Sequence, residues 1–154
     1  MEKEPKPLSS RGRESGVGLM EVIVGALLTL IIGSILLHFV RLGVAMYRLN
    51  SATTYIAQEL EKAKEVAKLR SQDIGVIFKA DERRYGIDRN GNGKLESAES
   101  EDLPEGVNIA SDATVTFGMT GRLTSGSKEP QILISNSRNT RMVSVSSMGS
   151  VVID

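Results

Sequence analysis

Three groups of residues have the types and spacing to do chemistry. Glu21 is the only carboxylate in an otherwise apolar run from Val17 to Val40. Asp88, Asn90, Asn92 and Glu99 set oxygen donors at intervals around Gly91 and Gly93, and His38 is the one histidine. The 24 residues from Val17 to Val40 would make a helix of roughly 36 Å, enough for a hydrocarbon core of about 30 Å. A lone acid one turn into such a span costs several kcal/mol unless it finds a partner, so it reads as a functional group. The partner should be a buried cation. No Lys, Arg or His lies within a turn of Glu21, but a cut between Gly16 and Val17 would create an α-amino group four residues before it.

The second group, Asp88-Arg89-Asn90-Gly91-Asn92-Gly93-Lys94-Leu95-Glu96-Ser97-Ala98-Glu99, matches D-x-[DN]-x-[DN]-G-x5-E at every specified position. In such a loop, side-chain oxygens of Asp88, Asn90 and Asn92, the carbonyl of Lys94 and a bidentate Glu99 would surround Ca2+, with Glu96 adding a contact through water. Two Asn in place of Asp reduce the ligand charge and predict modest affinity, suited to a calcium-rich compartment. The alternative is a favourable turn, since Asn and Gly tolerate left-handed backbone. A β-like run precedes the loop, so a helix–loop–helix arrangement is not expected.

His38 falls near the outer end of the span, where an interfacial ring is expected. A single histidine in the span cannot serve a Ser/His/Asp site elsewhere, and Ser144, Ser146 and Ser147 have no identifiable base. Tyr47 and Tyr55 follow the span at helical spacing and read as anchors or packing groups. No enzyme is expected.

The remaining elements must hold these groups. From Leu49 to Arg70 there is no Gly or Pro, and Ala52, Ile56, Leu60, Ala63 and Ala67 recur at steps of three or four, which predicts one apolar helical stripe. Glu59, Lys62, Glu65 and Lys68 are expected on its solvated face. After Ser71 the pattern changes to short β-type runs at Ile74–Phe78, Arg84–Ile87, Val107–Ile109, Ala113–Phe117, Gln131–Ser135, Arg141–Val145 and Val151–Ile153, alternating most clearly in Ala113–Phe117 and Met142–Val145. Thr124–Lys128 is expected to be a loop between strands. There is no Cys among the 154 residues, so neither a disulfide nor a thiolate metal site contributes. Residues 41–154 carry fifteen Lys and Arg against fifteen Asp and Glu, without the basic excess that would steer the chain to nucleic acid. Lys3, Lys6, Arg11 and Arg13 precede the span and favour a cytoplasmic N-terminus.

A basic leader ending in Gly16, a hydrophobic Val17, Glu21 as fifth residue of the cut chain within Leu19-Met20-Glu21-Val22-Ile23-Val24, and an apolar span resemble the prepilin cleavage and methylation motif of type IV pilins and type II secretion pseudopilins. Val17 stands where Phe is usual, and Gly18 where Thr or Ser is common. In the second half, Leu103-Pro104-Glu105-Gly106-Val107, Val115-Thr116-Phe117-Gly118 with Gly121, and Arg141-Met142-Val143-Ser144-Val145 running into Gly149 resemble the GspH/FimT-type pseudopilin domain.

The expected fold is therefore α+β: a membrane-spanning N-terminal helix continuing into an amphipathic helix packed on a small antiparallel sheet. The divisions would be a leader at 1–16, the span at 17–40, the helical extension at 41–70 and the β domain at 71–154. The resemblance implies cleavage after Gly16, N-methylation of Val17 and an assembly role for Glu21. It implies a minor pseudopilin of type II secretion at the bacterial inner membrane, with its globular domain periplasmic. Other pseudopilins or pilins, a prepilin peptidase/methyltransferase and an assembly platform with its ATPase would be partners. The alternative is a FimT-like minor pilin of a type IV pilus, acting in priming or DNA uptake. Relatives of that kind often carry Gly-Arg-x-Arg near the end, but here the stretch is Gly149-Ser150-Val151-Val152, so nucleic-acid binding is not expected. A third reading is a calcium-dependent sensor or adhesion module that uses the pilin export route.

Overall fold

A computed structural model describes residues 15–124 and 129–154, with side chains from Gly18 onward. The first element is helix α1, Ser15–Arg70, which starts two residues before the expected span. The chain divides between Leu42 and Gly43 into two compact units.

In the first unit α1 is exposed all round. Leu19, Val22, Leu30, Leu36 and Phe39 all present their side chains outward, and the helix is long and apolar enough to cross a membrane by length and composition. The hydroxyls within it are satisfied locally. Thr29 Oγ1 donates to the Gly25 carbonyl at 2.8 Å and Ser34 Oγ to that of Ile31 at 2.8 Å. Such bonds let polar side chains sit in hydrocarbon without water.

The second unit begins at Gly43 with the remainder of α1. Leu49, Ala52, Ile56, Leu60, Ala63 and Ala67 are all fully buried, as their spacing predicts. Each large side chain among them contributes roughly 1.5–3 kcal/mol by leaving water. The opposite face departs from expectation at Glu59, whose side chain is only 13% exposed and pairs with Lys62. α1 ends in a left-handed Ser71 at φ 53°, with Gln72 N–H reaching back to the Ala67 carbonyl at 3.3 Å. That bond is the signature of a Schellman cap.

Eight strands follow among the described residues: β1 Ile74–Lys79, β2 Arg84–Asp88, β3 Ser100–Asp102, β4 Asn108–Ile109, β5 Ala113–Phe117, β6 Gln131–Ser135, β7 Thr140–Val145 and β8 Val151–Ile153. Instead of one sheet they form two antiparallel sheets of four strands, ordered β3-β2-β1-β5 and β4-β6-β7-β8. Both contribute to one core with the α1 stripe. Phe78, Val115 and Phe117 come from the first sheet, and Ile132, Ile134, Val143 and Val145 from the second. The sheets meet where Leu123 bridges Phe117 and donates its N–H to the Ser147 carbonyl at 3.3 Å. The turn at Gly149 (φ 78°) lies so close to Gly121 that a Cβ there would overlap the Gly121 carbonyl, so glycine is required on both counts.

Candidate functional site

Gly16 and Val17 lie in α1; residues 1–14 of the expected leader are outside the described residues. Glu21 stands one turn after Val17 on an exposed helix surface. Among the described residues it makes no ion pair and no side-chain hydrogen bond. The first described cation further along its unit is Arg41, 20 residues on, about 30 Å along the helix at 1.5 Å per residue. Any charge partner for Glu21 would therefore come from the N-terminal side or from another chain.

The Asp88–Glu99 loop leaves the end of β2. Asp88 is only 4% exposed, and its carboxylate accepts three backbone bonds. Oδ1 accepts from Gly91 N–H at 2.8 Å and Asn92 N–H at 3.2 Å, and Oδ2 accepts from Gly93 N–H at 2.7 Å. Oδ1 of Asn90 then accepts from Asn92 N–H at 3.0 Å, and Oδ1 of Asn92 from Lys94 N–H at 2.8 Å. The two Asn amides converge on Glu96 Oε1, at 3.2 and 3.0 Å. Gly91 and Gly93 take φ of 70° and 72°, the left-handed values at which side chains are strained.

Glu99 closes the loop differently. Its Oε1 accepts from Arg89 N–H at 3.3 Å, while Oε2 is buried with no hydrogen-bond partner in the described structure. The backbone around it is held by pairing of β3 on β2, with Gly86 opposite Ser100. A side chain at Gly86 would collide with the Glu99 carbonyl. Asp88, Asn90, Asn92, Glu96 and the Lys94 backbone are thus joined in one network. Among the described residues no group of three or more His, Cys, Asp or Glu that could hold a metal ion forms.

Two polar devices outside these groups had no sequence signal. Arg83, left-handed at φ 54°, sends its guanidinium to the Pro104 carbonyl at 2.8 Å and to that of Val107 at 3.2 Å. It ties the β1–β2 turn to the segment entering β4. Tyr85 donates to Glu101 Oε2 at 3.2 Å, and burial, then the neighbouring carboxylate, pushes its phenol pKa up. Both residues position strands.

No family model and no curated protein matches this sequence. Solved structures do match. Two crystal forms of the type IV minor pilin FimU of Pseudomonas aeruginosa align at TM-scores of 0.57 and 0.59, with 18% and 17% identity. They cover 69% and 71% of this chain and 92% and 90% of theirs. The fold is shared with minor pilins. The minor pseudopilin EpsH from the Type 2 Secretion System of Vibrio cholerae aligns at 0.53 with 19% identity, covering 70% of this chain and 96% of that one. The helix-first α+β architecture expected from the sequence is thus the architecture these neighbours have.

The loop network generates a direct test. Asp88→Ala removes the acceptor of three backbone N–H groups and should lower unfolding free energy by about 2–3 kcal/mol, whereas Asp88→Asn, which keeps one acceptor oxygen, should cost less. Denaturant unfolding of the detergent-solubilised chain measures both.

Proposed function

We propose that this chain is a minor pseudopilin of a type II secretion system, stored in the inner membrane and assembled into, or priming, a periplasmic pseudopilus. The observation that carries the reading is the placement of Gly16, Val17 and Glu21 at the head of an apolar helix that leads into a domain with the minor-pilin fold. Cleavage after Gly16 by a prepilin peptidase exposes the Val17 amine, which the same enzyme methylates. Glu21 then meets the Val17 amine of a neighbouring subunit as the chain leaves the membrane. An ATPase-driven platform supplies the work. The chain itself binds and assembles, and it catalyses nothing. Its N-terminus is cytoplasmic and its β domain periplasmic.

The second reading, a minor pilin of a type IV pilus, is favoured by the FimU alignments. It differs in the machinery joined and leaves the chemistry of Gly16 and Glu21 unchanged. Loss of exoprotein release on deletion supports the first reading, and loss of surface pili the second. Balanced charge and the absence of Arg in Gly149-Ser150-Val151-Val152 argue against a DNA-binding role in either.

The test is intact mass and N-terminal sequencing of the membrane-extracted protein beside Gly16→Ala. The expected wild-type chain begins at Val17, with one added methyl on that amine, and the variant stays uncut. An uncut wild-type chain in cells with active prepilin peptidase would contradict the proposal.

For the Asp88–Glu99 loop we infer a calcium ion as ligand, supported by the unpartnered Glu99 Oε2 at the twelfth motif position and by the oxygen donors at the first, third and fifth. Weak binding is expected from the two Asn ligands. Millimolar Ca2+ should raise the melting temperature of the wild type and leave Glu99→Gln unmoved; an unchanged wild type would leave the loop as a self-satisfied turn.

A further inference from the structure

β8 ends its sheet, with no strand beyond it among the described residues. Its free side can be assigned from the pairing pattern. Met142 and Asp154 exchange both backbone bonds, at 3.1 and 2.9 Å, and Ser146 N–H donates to the Ser150 carbonyl at 2.9 Å. Antiparallel pairs alternate between bonded and non-bonded, so Val151 and Ile153, opposite Val145 and Val143, hold the non-bonded positions. Their N–H and C=O groups turn away from β7. Those backbone groups have no partner among the described residues.

The side chains of the same two residues share the face of the buried Val143 and Val145. With Thr54, Ala57 and Gln58 of α1 they line a groove of about 450 Å3. Here the sheet stops while the helix surface continues, and Ala57 leaves room between them. Ile153 is 45% exposed and so incompletely covered. Of the charged residues that line the groove, Lys62 pairs with Glu59 and Glu61 with Lys64. The Glu65 carboxylate, also on that wall, makes no ion pair among the described residues.

We propose that an extended segment of a partner protein adds to β8 as a fifth strand in this groove, with apolar side chains at alternate positions and one Lys or Arg opposite Glu65. Outward N–H and C=O groups at Val151 and Ile153 select an extended backbone over a helix, because only a strand returns bonds at that spacing. Period-two apolar side chains continue the core face onto Ala57, and the cation complements Glu65. The chain's own edge strand β3 (Ser100-Glu101-Asp102) would bring acids to Glu65, which disfavours a second copy through that edge. The surface does not depend on cleavage after Gly16, so either proposal can fail without the other.

The test uses the full chain in detergent micelles and a fluorescein-labelled peptide, Val-Thr-Val-Thr-Val-Thr-Lys, with its other end blocked, read by anisotropy. Saturable binding is expected. Ile153→Pro removes an outward N–H without touching the β7 pairing, a replacement edge strands tolerate. It should weaken binding at least tenfold with an unchanged melting temperature. Glu65→Lys, on the exposed helix surface, should weaken binding at least fivefold, and a peptide ending in Glu should regain it. No saturable binding, or binding that both substitutions leave unaltered, would overturn the proposal. So would concentration-dependent dimerisation of the chain that Ile153→Pro abolishes, which would make the occupant a second copy.

Discussion

A carboxylate placed in hydrocarbon must be neutralised, and among the described residues Glu21 has no Lys or Arg nearer than Arg41, 20 residues on. Its surroundings are Leu19, Met20, Val22 and Ile23, all exposed on the helix. The first cation further along is Arg41. From Val22 to Leu37 the helix suits lipid: its large apolar side chains are exposed, and the hydroxyls of Thr29 and Ser34 close onto their own helix. An acid kept in such a setting is unstable alone and stable when paired. On the proposed function it would serve as a device for assembly, since the membrane penalty would be relieved when a cation is brought to it.

The second unit meets a different constraint. With no disulfide, one helical stripe must organise two four-stranded sheets, and it does so with residues that are 0–1% exposed from Leu49 to Ala67. Ala52, Ala63 and Ala67 lie in that core beside the larger Leu49, Ile56 and Leu60, together with residues of both sheets. The cost of this economy falls at the edges. β8 is three residues long, and beyond it the core face runs out onto open helix surface. Short edge strands limit indiscriminate pairing, and they also leave a defined place for a selective one.

The long apolar helix, its buried stripe and seven of the eight strands were legible because their apolar patterns are strong. β3 was not, since Ser-Glu-Asp has no apolar alternation and is a strand only because Gly86 admits the chain alongside β2. The division into two sheets was equally hidden, as strand order depends on contacts such as Phe117 with Leu123 that no local pattern encodes. In the loop, the motif named the oxygen donors, and the structure joins Asp88, Asn90, Asn92 and Glu96 by hydrogen bonds. It could not show that Asp88 would be buried or that Glu99 would divide its two oxygens between a backbone bond and none. Glu59 was misplaced as solvated because helix periodicity alone does not see the β domain folding over it. The groove beside β8 arises from where a sheet stops, which is a tertiary fact.

The central claim is that Glu21 acts as the charge partner of a cation supplied at assembly. The most direct measurement compares wild type with Glu21→Gln for the amount of chain recovered in sheared filaments relative to the inner membrane, in cells where both are cut after Gly16. The account predicts at least a tenfold fall for the variant with its cleavage and membrane level unchanged. Equal recovery in filaments would contradict it.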